Sequence, residues 1–171
     1  MSASHPEFTS SAVRKHLVGA SLALACFVSF GVAQAAPPRV EPFDAQTWTS
    51  LKTQTKENLL VVFTTTWCAV CPQTFDSLAN AIDQRTVNAR LVGVVMDRAP
   101  GEDDPALLAN VHYRRTARLF AFDGQEAALR HAVDPSWRAV TPYVVFLAPG
   151  QPPRTRLGTP SAAELAQWSR R

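Results

Sequence analysis

The residues best suited to chemistry are Trp67-Cys68-Ala69-Val70-Cys71-Pro72. Two thiols separated by two residues can form and break a small-loop disulfide. The apolar run Leu59-Leu60-Val61-Val62-Phe63 precedes them, and a segment able to start a helix follows. Cys68 is therefore expected near a helix N-terminus, where free N–H groups and the helix dipole favour a thiolate. A thiolate attacks disulfides and a thiol does not. These residues point to redox chemistry and leave its direction open.

The chain has three cysteines among 171 residues, and the third, Cys26, lies in a different kind of segment. Arg14-Lys15-His16 is a positive n-region, residues 17–32 are nearly all apolar, and Ala33-Gln34-Ala35 is an A-x-A cleavage site. This pattern predicts a secretory signal peptide over residues 1–35. The apolar run is shorter than the roughly 20 residues a membrane span needs, which argues against an uncleaved anchor. Ala23-Leu24-Ala25-Cys26 has the look of a lipoprotein site, but lipidation there would leave the apolar residues 27–32 at the mature terminus. Removing 35 of 171 residues leaves 136, enough for one domain with a core of its own. Arg14, Lys15 and Glu7 leave with the leader, so the net charge falls from +3 to +2. Only Cys68 and Cys71 remain, to pair with each other, with a partner protein or with a metal. A periplasmic or secreted location suits a redox-spaced pair.

That small charge calls for no nucleic-acid partner, and no basic stripe interleaved with aromatics is present. Arg114, Arg115 and Arg118 read as a solvated face.

The elements that must position the cysteines follow from periodicity. Residues 36–42 are proline-rich and are expected to be a linker, with the domain running over 43–171. Asp44 is a plausible N-cap for a helix carrying Trp48 and Leu51. Residues 58–64 and 91–96 read as buried strands, and 69–85 as a helix with Phe75, Leu78, Ala79 and Ile82 on one face. A polar loop at 98–105 precedes a short helix at 106–113. It reads as an exposed acidic loop in preference to a lid. Further strands are expected at 118–122, 141–147 and 154–157, with a helix at 125–133. Ser161 and Glu164 form a capping-box pattern opening a last helix, with Leu165 and Trp168 as its apolar contacts. Strands with no polar face need helices on both sides, so the architecture is an α/β fold: a three-layer α/β/α sandwich around a mixed sheet.

With Trp67-Cys68-x-x-Cys71 after a buried strand, Thr141-Pro142 opening a later strand, and a terminal strand–helix pair, the chain resembles the thioredoxin-like superfamily from Phe43 to the end. The long passage from Cys71 to Pro142 resembles the exported TlpA-like branch, which carries an insert before the cis-proline strand. The resemblance implies that Pro142 is a cis-proline facing the disulfide, and that Thr141 offers backbone groups to an extended substrate. Trp67 would shield the site and pack on substrate, or simply pack its loop. Cys68 would attack and Cys71 would resolve, with no cofactor beyond the redox-active disulfide. A protein disulfide reductase is implied, fed by a membrane electron donor and acting on protein thiols and disulfides such as those of apocytochrome c or copper sites. A monomer is expected.

Two departures stand out. Val61, Val62 and Phe63 carry no acid where many such proteins place a buried carboxylate, so a fast proton relay is not built in, and water is left to serve. Pro72 directly follows Cys71 and removes a first-turn N–H.

Two other readings compete. Copper carriers of the Sco family bind through C-x-x-x-C-P plus a distant histidine. Here the spacing is one residue shorter, and His112 or His131 would have to complete a site for Cu(I). No second C-x-x-C completes a structural zinc site, and no metal is assigned. The third reading is a non-catalytic binding module, for which both cysteines would be dispensable. Trp137 is expected either to support the Thr141-Pro142 loop or to sit in the core.

Overall fold

The structure is a computed structural model that describes Met1 and residues 35–170. The expected signal peptide and Cys26 lie outside the described residues, except for Met1 and Ala35. The described residues 35–170 belong to one compact unit. Among the described residues six strands form one sheet, with β1 (Val40–Phe43), β2 (Leu59–Thr64), β3 (Arg90–Val95), β4 (Arg118–Phe122), β5 (Tyr143–Leu147) and β6 (Arg154–Leu157). The helices are α1 (Ala45–Gln54), α2 (Cys71–Asp83), α3 (Asp104–Ala109), α4 (Glu126–Val133) and α5 (Ala162–Ser169), with a 3₁₀ turn over Tyr113–Arg115.

The strand order is β1-β4-β3-β2-β5-β6. The first four strands in that order are mutually parallel, β5 runs antiparallel to β2, and β6 runs antiparallel to β5 and so in the direction of the first four. The sheet is thus mixed and the fold is the expected three-layer sandwich. Every residue of β2 and β5 is buried, which requires cover on both faces. Successive side chains on a strand point to opposite faces. Leu60 and Val62 meet Phe75 and Leu78 of α2 and Leu165 and Trp168 of α5 in one core. Val61 and Phe63 meet Trp48 and Leu51 of α1, Leu129 of α4 and Trp137 in the other.

Residues 36–42 are not simply a linker. Val40–Phe43 joins the sheet as an edge strand parallel to β4, with Val40 opposite Leu119 and Phe43 opposite Phe122. Val40 and Phe43 are buried, and Pro42 is tolerated because an edge strand has one unpaired side. Arg118 clamps this edge through two bonds to Glu41, at 2.8 and 2.7 Å. The N-cap is as read: Asp44 accepts from the Thr47 N–H at 2.6 Å.

The passage expected as an insert is α3, the 3₁₀ turn, β4 and α4, and β4 enters the sheet between β1 and β3. The helix expected at 106–113 instead starts at Asp104, because Pro105 fits a first turn that needs no N–H from it. Gly93 lets α2 and β4 pack tightly on β3. A Cβ there would lie 2.9 Å from Leu119 Cδ1 and 3.3 Å from Phe75 Cε1.

Candidate active site

A disulfide joins Cys68 and Cys71. Cys68 lies in the turn after β2, where its N–H donates to the Thr65 carbonyl at 3.2 Å and its own carbonyl accepts from Cys71 at 3.3 Å. Cys71 is the first residue of α2. The helix therefore starts two residues later than the sequence suggests, with Val70 as N-cap and no side chain capping the first turn. The Cys71 N–H is engaged by the Cys68 carbonyl and Pro72 has none, so the partial positive charge expected to favour a Cys68 thiolate is that of the helix dipole. The two sulfurs are not equivalent in access. Cys68 is half-buried, whereas Cys71 is 1% exposed.

The sheet register brings the second predicted segment to the same place. β2 and β5 are antiparallel, with Phe63 opposite Tyr143. The residues that leave β2 toward Cys68 and those that enter β5 through Thr141 and Pro142 thus share one end of the sheet. The Thr141–Pro142 peptide bond is cis. Pro142 is buried and Thr141 is half-buried. The Pro142 carbonyl accepts from Gly158 N–H at 2.8 Å, and Thr159 bonds Thr74 of α2 through their hydroxyls at 2.6 Å. These two bonds tie the loop before β5 to the first turn of α2.

Trp67 is 75% exposed, so its side chain is not packing its own loop. Val70 and Val140 are also exposed. Apolar side chains thus flank both the disulfide and the Thr141-Pro142 turn.

Several residues that hold this end of the sheet were not singled out in the sequence. Asp97, just after β3, accepts from the Thr66 N–H at 2.9 and 3.1 Å and from the Thr66 hydroxyl at 2.5 Å. Arg98 donates to the Asp97 carbonyl at 2.6 Å and to its carboxylate at 3.4 Å. Beside them, burial pushes the Tyr113 hydroxyl up, opposed by its hydrogen bond with Thr64 and reinforced by the charge of Asp97. The Thr65 hydroxyl is buried and has no partner among the described residues.

On the β5 side, Tyr143 donates a short hydrogen bond to Asp134. That bond, with Ser136, holds the Asp134 carboxyl below the usual range. Burial first, and then Asp134, push the Tyr143 hydroxyl up to about 12. Trp137 stacks on Tyr143 with ring centroids 4.3 Å apart, and its indole N–H donates to the Val140 carbonyl at 3.0 Å. Trp137 is thus both a core residue and the support of the loop. The signal was its position shortly before Thr141-Pro142. Asp97 and Asp134 had none, because each acts on a partner outside its own element.

The histidines are elsewhere. His112 Nδ1 is 3.0 Å from Asp76, and Arg115 joins the same outer side of α2 through Asp76, Asn80 and Asp83. His131 is exposed on α4. Among the described residues no group of three histidine, cysteine or acidic side chains is placed to hold a metal. No helix among them is long and apolar enough to cross a membrane.

No protein-family model and no curated protein sequence matches the chain. Solved structures do. The chain is similar to the reduced N-terminal domain of PilB from Neisseria meningitidis at 16% identity and a TM-score of 0.51, over 72% of this chain and 85% of that one. It is also similar to StoA from Bacillus subtilis, at 16% identity and a TM-score of 0.45 over 66% and 81%. A secreted Mycobacterium tuberculosis disulfide oxidoreductase, homologous to E. coli DsbE, gives the same identity and score over 67% and 81%. The fold of this chain is thioredoxin-like, and it carries a Cys68–Cys71 disulfide where α2 begins.

Proposed function

We propose that the chain is an exported thiol–disulfide oxidoreductase that reduces disulfides in other proteins. The observation that carries the oxidoreductase reading is the asymmetry of the pair at the start of α2, with Cys68 reachable and Cys71 buried, and the reducing direction rests on the resemblance to the TlpA-like branch. In the reduced protein the Cys68 thiolate attacks a substrate disulfide. A mixed disulfide forms, and one substrate sulfur leaves as a thiolate that takes up a proton. Cys71 then loses its proton and attacks Cys68. The intramolecular disulfide forms and the second substrate sulfur departs. Two electrons have passed from the pair to the substrate, and an exported dithiol donor at the membrane restores them.

Trp67, Val70 and Val140 offer apolar contact to the substrate chain, and Thr141 and Pro142 form the backbone edge beside the sulfurs. The export reading rests on the A-x-A pattern at residues 33–35 and on the absence of any other cysteine from the mature chain. Terminal sequencing of the secreted protein is expected to begin at Ala36; a chain retained with Met1 would contradict it.

Equilibration with glutathione buffers tests the direction. A reductase is expected to poise near thioredoxin, at about −270 mV, and a value near the strong oxidant DsbA, at about −120 mV, would overturn the reducing assignment. The activity itself is tested by dithiothreitol-driven reduction of insulin. Turnover by wild type and none by Cys68→Ala is expected; equal rates would refute the enzyme.

A further inference from the structure

The turn that presents Cys68 is held from the neighbouring strand by a single carboxylate. Asp97 receives three hydrogen bonds from Thr66, which stands two residues before Cys68 and next to the exposed Trp67. Thr66 belongs to the chain leaving β2, and Asp97 to the chain leaving β3. The Met96 N–H bond to the Thr64 carbonyl, 2.9 Å, continues the ladder up to this point. Beyond it the Thr66 N–H donates to the Asp97 carboxylate, so a side chain continues the link between the two chains. The side chain of Asp97 is 18% exposed, so its charge is only partly screened by water.

We propose that Asp97 is the positioning residue of the reactive turn: it fixes Thr66, and through it Trp67 and Cys68, to the end of β3, and its charge sets how readily Cys68 reacts. The inference deepens the oxidoreductase reading and rests on Cys68 being the attacking sulfur. Two opposed effects meet at Cys68. The uncapped start of α2 draws negative charge onto the sulfur, and the Asp97 carboxylate opposes it. Arg98 moderates the carboxylate through its bond at 3.4 Å, and Tyr113, from the 3₁₀ turn, also feels its charge. Nothing acidic is needed within β2 for this effect, since the acid comes from the adjacent strand.

The test is the pH profile of iodoacetamide alkylation of the reduced full-length protein, followed at Cys68 by mass spectrometry. Removing or unmasking one nearby charge moves a thiol midpoint by about half a unit to one unit. Asp97→Asn is expected to shift the Cys68 midpoint down by that amount. Asp97→Glu, which keeps the charge, stays near the wild-type curve. Arg98→Gln shifts the midpoint up, because the carboxylate loses its cation. A lower melting temperature with Asp97→Asn and Arg98→Gln both superimposed on wild type would reduce Asp97 to a structural residue and overturn the proposal. Should Asp97→Asn fail to fold, Arg98→Gln decides alone by the presence or absence of its upward shift. Alkylation needs no protein substrate. A chain that shows these shifts but reduces no insulin therefore refutes the enzyme reading while leaving the role of Asp97 standing.

Discussion

Cys68 and Cys71 belong to one small loop, yet only one of them meets solvent. On the function proposed above, that difference would divide the labour of disulfide exchange, since an attacking sulfur must reach a macromolecule and a resolving one need reach only its neighbour. The residues around them serve the same end from several directions. Trp137 fixes the loop before β5 by donating to the Val140 carbonyl and stacking on Tyr143. Trp137→Phe keeps an aromatic ring and removes the donor. The net worth of one such hydrogen bond is about 1 kcal/mol, about fivefold in an equilibrium constant. The expected result is a severalfold rise in KM for a disulfide-containing peptide with kcat little changed; an unaltered KM would remove Trp137 from substrate positioning. The Cys68–Cys71 disulfide and the cis bond before Pro142 were legible because each rests on residues close together in sequence. Asp97 and Asp134 were not, because Thr66 lies 31 residues from Asp97 and Tyr143 nine from Asp134.

At the scale of elements, α2 has to lie close on the sheet for its first turn to meet the loop before β5. Gly93 permits that approach. Gly93→Ala would place a Cβ 2.9 Å from Leu119, 3.3 Å from Phe75 and 3.4 Å from Thr116, with little room to yield in a filled core. Overpacking of this kind costs about 1–3 kcal/mol, and denaturant unfolding is expected to show a loss of that size. An unchanged unfolding midpoint would contradict the tight contact of α2 on β3. The buried strands β2, β3 and β5 were readable from continuous apolar runs, and α5 from its capping box, which is present as predicted. β1 was not readable. Its three neighbouring prolines, Pro37, Pro38 and Pro42, suggest a linker, and its place depends on pairing with β4 far along the chain. Residues 106–113 were misread because a helix pattern shows where apolar residues recur but not that Pro105 can sit inside the first turn.

For the whole molecule, Glu41, Asp134 and Tyr143 are among the groups that tie stability to pH. Hydrogen bonding to Arg118 holds the Glu41 carboxyl below its ordinary 4.5, and Tyr143 holds Asp134 below 3.8. Their contribution is complete above those ordinary values and is lost as pH falls through the lower folded ones. Tyr143 works the other way: its stabilisation is complete below 10 and is lost as pH rises toward about 12. Denaturant unfolding across pH is therefore expected to show an acid limb that Glu41→Gln makes shallower and an alkaline limb that Tyr143→Phe makes shallower. Limbs unaffected by these changes would remove both clamps from the account. The same two clamps, one at the β1 edge and one behind the Thr141-Pro142 loop, hold the framework that keeps the sulfurs in place.

The most direct measurement is trapping with a defined peptide disulfide. Reduced Cys71→Ser protein is expected to accumulate a mixed disulfide with the peptide through Cys68, reduced Cys68→Ser protein to accumulate almost none, and wild type to release free peptide thiol. Equal trapping by both variants, or none by either, would contradict attack by the half-buried Cys68 and resolution by the buried Cys71.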